Sequence, residues 1–203
     1  MAAMVASGGA ALKPPLRANG PQTPFYAVAD ATAKEGFELE IATGEEAAGY
    51  ALQFWQGLDE KTRRIMLWDV EMKKRGEMLS ECWRRADCVI LAKISGRIAA
   101  AWASRIGPQS KCAMIHFCFE KSARSRAHEI GEKALKMLFE ATAFQSFIGL
   151  IPAKFSHALR FVERLGFERG ARLRGACPVY GGYGARLYDG ELVFLNRKNL
   201  AGE

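Results

Sequence analysis

Residues 111–120, Lys-Cys-Ala-Met-Ile-His-Phe-Cys-Phe-Glu, constrain this chain most. Nine or ten residues fit a strand, and this one is apolar at both odd and even positions. A strand buried on both faces sits in the middle of a sheet that is covered on both sides. The neighbouring sequence supplies the rest of that sheet. Cys88 to Lys93 and Arg97 to Ile106 are apolar runs of strand length, joined by Ser95-Gly96, a hairpin-type turn. Phe37-Glu-Leu-Glu-Ile41 alternates as a half-buried strand does, and Gln145 to Ile151 reads as another buried strand ended by Pro152.

Helical spacing fills the intervals. Gly44 to Gly57 places Ala47, Tyr50, Ala51, Phe54 and Leu58 on one side. Glu60 to Arg85 carries Ile65, Trp68, Met72, Leu79 and Trp83, with Gly76 weakening its middle. Ile130, Ala134, Met137, Leu138 and Ala141 form a third helical stripe. A fourth helix takes Phe155, Ala158, Leu159, Val162 and Leu165 on one face, and Gly166 supplies its left-handed stop. Two last strands, Arg169 to Gly175 and Arg186 to Asn196, flank the turn Gly181-Gly-Tyr-Gly184. The order is β-α-α-β-β-β-α-β-α-β-β, an α/β architecture with no internal repeat.

Before this domain lies a different kind of sequence. Four of the seven prolines are Pro14, Pro15, Pro21 and Pro24, amid alanine and glycine. Residues 1–35 read as an extended arm without a core of its own, and residues 36–203 as the folded domain. Order in such an arm depends on contact with another surface, so homo-oligomerisation or docking to a larger assembly is one expectation. The start lacks a basic segment followed by a long apolar one, so no secretory leader is expected. No apolar run is long enough for a membrane span.

The five cysteines have no zinc-knuckle spacing and the three histidines do not cluster, so no metal site is expected. Free thiols in a reducing cytoplasm are the expectation. The net charge of +7 and pI near 9.3 favour anionic partners. Residues 154–175 hold six Lys/Arg against two Glu, and residues 121–136 hold five against two. Neither stretch interleaves aromatic residues with its cations, which argues against a nucleic-acid stacking platform without excluding nucleic acid; a polyphosphate ligand and plain solvated helix faces are the other readings.

The segment Ala158-Leu-Arg-Phe-Val-Glu-Arg-Leu-Gly-Phe167 resembles the "A-x-x-F-Y-E-K-L-G-F" signature of the GNAT superfamily, the acetyl-CoA-dependent N-acetyltransferases, and the element order matches that fold from residue 36 to 197. The resemblance implies a GNAT-like mixed, strongly twisted sheet flanked by helices. It implies an enzyme that moves an acetyl group from acetyl-CoA to an amine of a small molecule or a protein. The segment Ser122 to Gly131, between a buried strand and an amphipathic helix, resembles the family's "Q/R-x-x-G-x-G/A" loop for the coenzyme diphosphate. Arg124, Ser125, Arg126, Ala127, His128, Glu129, Ile130 and Gly131 are the implied binding residues. In one register Arg126 takes the basic position and Gly131 the last glycine, while Glu129 replaces the first; shifted by two, Arg124 takes the basic position and Ala127 the first glycine, and Glu129 falls at the second. The resemblance also implies that main-chain groups of Phe117, Cys118 and Phe119 hold the pantetheine arm, with Ile151 on the neighbouring strand.

Two departures bear on catalysis. The position of the family's acidic Tyr is Val162, and that of its frequent Asn is Phe155. For a base, His116 and Glu120 share one face of the central strand, ~13 Å apart. Glu120, at the strand end, is the first candidate; its alternative is a carboxylate paired with Lys121 or Arg124. His116 is expected to be a hydrogen-bonded core residue. A second functional class stays open: a catalytically quiet GNAT-fold module within an assembly such as a bacteriophage virion, which the arm, Val162 and Glu129 favour.

Overall fold

The computed structural model describes residues 36–94, 97–181 and 184–201. The expected arm, residues 1–35, and the Ser95-Gly96 turn lie outside the described residues. Seven strands form one sheet in the order β1-β2-β3-β4-β5-β7-β6. They are β1 (Glu38–Ala42), β2 (Cys88–Ile94), β3 (Arg97–Arg105), β4 (Cys112–Cys118), β5 (Ser146–Pro152), β6 (Glu168–Gly181) and β7 (Gly184–Asn196). The β4–β5 pair is parallel and every other neighbouring pair antiparallel. The strand with two apolar faces, β4, holds the central place, as its sequence requires.

Helices cover both faces. On one side α4 (Ala127–Ala141) and α5 (Ser156–Arg164) pack Leu135, Leu138, Phe139, Leu159 and Val162 against Ile115, Phe147, Val193 and Leu195. On the other, α1 (Gly44–Gly57) and α3 (Arg75–Arg85) bury Phe54, Leu79 and Trp83 against Val89, Leu91, Ala100 and Trp102. Each such large side chain, fully buried, contributes about 1.5–3 kcal/mol. Four rings stand in a column on this second face. Phe54 and Trp83 stack at 5.4 Å, Trp83 meets Trp102 at 5.6 Å, and Trp102 stacks on His116 at 5.0 Å with planes 16° apart.

The α5 stop is as expected. Gly166 takes φ +89°, and Phe167 N–H returns to the Val162 carbonyl at 3.1 Å. The region 60–85 differs from the single helix its periodicity predicts. Helix α2 covers only Glu60–Ile65, capped by Asp59, whose carboxylate accepts from Thr62 N–H at 2.9 Å. The chain then turns through Leu67 at φ +47°, makes one 3₁₀ turn at Met72–Lys74, and enters α3. A leucine in the left-handed region costs roughly 1–2 kcal/mol, so tertiary contacts must hold this break open. A short helix α6 (Arg197–Ala201) ends the described chain.

Candidate active site

Strands β4 and β5 begin side by side and then part. Their pairing runs from Cys112↔Ser146 to Met114↔Ile148 and stops. Beyond that point β4 continues along β3 to Cys118, and β5 continues along β7 to Pro152. The facing edges of residues 115–118 and 149–152 are therefore not paired with each other. Backbone amides and carbonyls at such a divergence need partners, and an extended amide-bearing ligand provides them. Phe117 lies on this edge and packs edge-on to Phe161 at 5.4 Å; Phe119, just beyond the strand, does the same at 5.2 Å. Cys118 turns to the opposite face, where its Sγ lies 3.1 Å from Met66 Sδ, and burial lifts its thiol pKa to about 12.

At the open end of the divergence sits a cationic loop. Lys121–Arg126 forms a 3₁₀ turn that leads into the N-terminus of α4, where free N–H groups and the helix dipole favour an anion. Arg124 reaches across to α2, donating to Thr62 Oγ1 and lying 3.8 Å from Asp59. Ser125 is exposed and Ala127 half-buried, while Ile130 is buried in a small cluster with Ala123 and Ala92. His128 Nε2 sits 3.0 Å from the Arg164 carbonyl, tying α4 to the end of α5. A Cβ on Gly131 would fall 2.9 Å from Leu165 and 3.1 Å from Phe161, so this glycine lets α5 pack on the first turn of α4.

Glu129 is turned along the helix surface. Its carboxylate accepts from Arg126 at 2.9 Å and lies 3.5 Å from Lys133, and both cations also sit over the Phe37 ring. The Arg126 hydrogen bond, chiefly, holds its carboxyl below the usual carboxylate range. The negative charge is thus matched locally, within a field that stays positive. His157, at the start of α5, shows that field: burial, then Arg160, Arg124 and Lys61, hold its pKa below the ordinary histidine value. If this loop takes the acetyl-CoA diphosphate that the sequence resemblance implies, Glu129→Gln is expected to tighten that binding severalfold, because one negative charge leaves the loop, while costing about 0.3–1 kcal/mol of stability at the helix N-terminus. A calorimetric titration of both proteins checks it; weaker binding by the variant would mean the diphosphate does not approach this turn.

Glu120 lies beyond the end of β4 and is 4% exposed. A Cβ on Gly57 would fall 2.6 Å from its Oε1, so the carboxylate lies beneath the end of α1. Its ion-pair partner is Arg97, at 3.9 Å, and neither Lys121 nor Arg124; Oε2 has no hydrogen-bond partner among the described residues. Desolvation raises its pKa, with Arg97 opposing.

His116 departs from expectation. It has no hydrogen bond among the described residues and is exposed to solvent, not part of the core. Stacking on Trp102 fixes it instead. Desolvation lowers its pKa below 6.5, against a smaller opposing pull from Asp69. That direction favours the neutral imidazole, the form able to accept a proton.

On the same sheet face as His116 a cleft of about 380 Å³ opens at the C-terminal end of β5. Its walls are Arg64 and Ile65 of α2, Lys154 and Phe155 after β5, Val179 and Tyr180 of β6, and Arg186 and Tyr188 of β7. Arg75, 0% exposed, sets one wall. Its guanidinium donates to the carbonyls of Val70 (2.7 Å), Arg63 (3.0 Å), Arg64 (2.7 Å) and Tyr180 (3.3 Å). Tyr180 N–H also donates to the Trp68 carbonyl at 2.9 Å. These bonds clip the broken α2–α3 segment to β6 and offset the strain at Leu67. Val162 is buried in the core under α5 and offers no proton. Tyr183 lies outside the described residues.

Solved structures share this fold. A spermidine N-acetyltransferase chimera from Vibrio cholerae and hSSAT matches with a TM-score of 0.62 at 13% identity, covering 81% of this chain and 99% of its own. A ribosomal-protein-alanine N-acetyltransferase from Brucella melitensis gives 0.55 at 19% identity, over 78% and 98%. A GNAT-family acetyltransferase from Bacillus anthracis gives 0.58 at 12% identity, over 82% and 98%. The fold is that of the GNAT acetyltransferases. No family model and no curated protein matches the sequence. Among the described residues no helix is long and apolar enough to cross a membrane, and no group of three or more His, Cys, Asp or Glu could hold a metal ion.

Sequence reasoning named His116 as a base candidate on β4 but expected a hydrogen-bonded core residue, and it missed two parts of this site. The cleft cations come from three separate stretches of chain, and no local pattern links them. The Arg75 clip joins residues 105 apart in sequence.

Proposed function

We propose that this protein is an acetyl-CoA-dependent N-acetyltransferase. The observation that carries the reading is the divergence of β4 from β5, with a cationic helix N-terminus at its open end, beside a separate cleft lined by the last residues of α2. That layout gives an acyl thioester and an amine separate entrances to one strand end. Acetyl-CoA-bound and CoA-bound structures occur among the neighbours: one from Salmonella typhimurium is described with its cofactor acetyl-CoA, and one from Vibrio cholerae in complex with CoA and spermine. Both lie below 25% identity, so they support the fold and lend the activity by analogy.

In this reading the pantetheine amides pair with main-chain groups of Phe117, Cys118 and Phe119, opposite Ile151. The diphosphate lies on the loop from Arg124 to Gly131, with Arg126 and the positive field around His157. The acceptor amine occupies the cleft. The amine nitrogen attacks the thioester carbonyl carbon, the new C–N bond forms, and the C–S bond breaks. The nitrogen's proton passes to neutral His116, directly or through a water, and the thiolate takes a proton from the Tyr-lined wall or from solvent. Glu120, buried and turned toward α1 and Arg97, is assigned a supporting place behind β4 in this scheme.

Saturating acetyl-CoA should raise the melting midpoint, since a ligand that binds only the folded state stabilises it by mass action; 100-fold excess over Kd gives about 2.7 kcal/mol. CoA release in the presence of an amine panel then reports turnover. No shift at millimolar acetyl-CoA would end the coenzyme assignment.

A further inference from the structure

The chemistry of the cleft narrows the acceptor. Three cations line it, Arg64, Lys154 and Arg186, and no carboxylate does among the described lining residues. Each comes from a different stretch of chain, the end of α2, the turn after β5 and β7, so the convergence is a product of the fold. Lys154 is held in place: its ammonium lies 4.0 Å from the Tyr188 ring centroid and 5.2 Å from that of Phe155. Arg186 has no ion-pair partner among the described residues. Arg64 pairs with Glu60 at 2.5 Å on the solvent side, both side chains being largely exposed. The nearest acid on β7, Asp189, borders an adjoining depression and is engaged by Arg172 at 3.1 Å and by Gly175 N–H. The remaining walls are flat or apolar: Ile65, Phe155, Val179, Tyr180 and Tyr188.

Given the acetyl-transfer reading, on which this inference rests, we propose that the acceptor is an amine that also carries an anionic group on a flat apolar frame. A carboxylate or phosphate takes the place between Lys154 and Arg186, and an aromatic or aliphatic body lies on the tyrosines. A polyamine is the wrong occupant: every further ammonium it brings meets like charge, with no carboxylate on the lining to receive it. The positive field also leaves a larger fraction of the acceptor amine deprotonated, because a nearby like charge disfavours the charged form.

The test uses the full chain with acetyl-CoA and four acceptors: phenylalanine, 2-phenylethylamine, phosphoethanolamine and spermidine. Phenylalanine should exceed 2-phenylethylamine at least tenfold in kcat/KM, and spermidine should be the poorest. A phosphoethanolamine rate above that of phenylalanine assigns the anion as phosphate; the reverse assigns it as carboxylate. Lys154→Gln and Arg186→Gln, each checked for an unchanged melting midpoint, should pull the acid-to-amine ratio toward one, mainly through KM. Equal or better use of spermidine or 2-phenylethylamine overturns the proposal, as does a ratio that survives both substitutions. If acetyl-CoA neither binds nor turns over, the acetyl-transfer reading fails on its own. Calorimetry with phenylalanine and 2-phenylethylamine alone then reads the cleft, and preference for the amine without the acid overturns the present inference separately.

Discussion

Replacing Arg75 with methionine is expected to destabilise the domain by about 3 kcal/mol or more and to raise the KM for the acceptor. The side chain is fully buried, and its removal strands four carbonyl oxygens, those of Val70, Arg63, Arg64 and Tyr180. An unsatisfied buried polar group costs about 1–3 kcal/mol, and local rearrangement recovers part of the total. For a chain of this size the loss translates to a melting midpoint lower by roughly 6–12 °C. The kinetic effect is the sharper readout. The same bonds hold Arg64 and Tyr180 on the cleft wall, so the acceptor KM should rise more than the acetyl-CoA KM. Arg75→Lys keeps the charge but has no planar fork to serve several carbonyls, and should restore only part of both quantities. A midpoint within 2 °C of the parent, with both KM values unchanged, would show that the clip does not hold the wall.

His116→Ala should lower kcat/KM by about 10²–10⁴, the span over which a positioned general base acts. The stability cost is smaller, on the order of 0.5–1.5 kcal/mol for the lost stacking on Trp102. The pH dependence follows from the direction of its shift. Partial desolvation beside Trp102 pulls the folded-state pKa downward, against the pull of Asp69, and this favours the neutral imidazole as base. The rate should fall as pH drops through the folded-state pKa, and the variant should lack this acid limb. Stability has the same sign: the contribution is complete above the unfolded value and is lost as pH falls through the folded one. Asp69 pulls the pKa upward, so Asp69→Asn should move the acid limb lower still. An unaltered acid limb in His116→Ala would remove His116 from the reaction and return attention to Glu120.

Much of the fold was legible because its signals are local. The two-faced apolar strand at 112–118 could only be central, and Gly166 with Phe167 marked the end of α5 from sequence alone. The α2–α3 break was not, because Ile65, Trp68, Met72 and Leu79 keep a helical rhythm straight across it. What breaks the helix is a set of carbonyl bonds to Arg75 and a strand far along the chain, and these override propensity. The place of the cationic loop could be read from its neighbours, strand before and helix after. The settlement of Glu129 between Arg126 and Lys133 could not, since it depends on rotamers along one helix face. His116 was misread for a related reason: alternation says which face a side chain takes, and says nothing of whether that face is covered.

The Arg75 clip carries a consequence for how the molecule comes into being. It joins α3 to Tyr180 across 105 residues, so it cannot form until β6 has been synthesised and has docked on β7. Contacts of such long range are late and slow, because chain closure must precede the bonds that reward it. The acceptor wall is therefore among the last parts to set. A ribosome-bound chain ending before residue 168 would already hold β1 to β5 and the cationic loop, yet lack the cleft, with the Arg75 guanidinium short of its Tyr180 partner. On the proposed reading, the cationic loop is in place early in the life of the chain, and the cleft that would choose an acceptor is completed at its end.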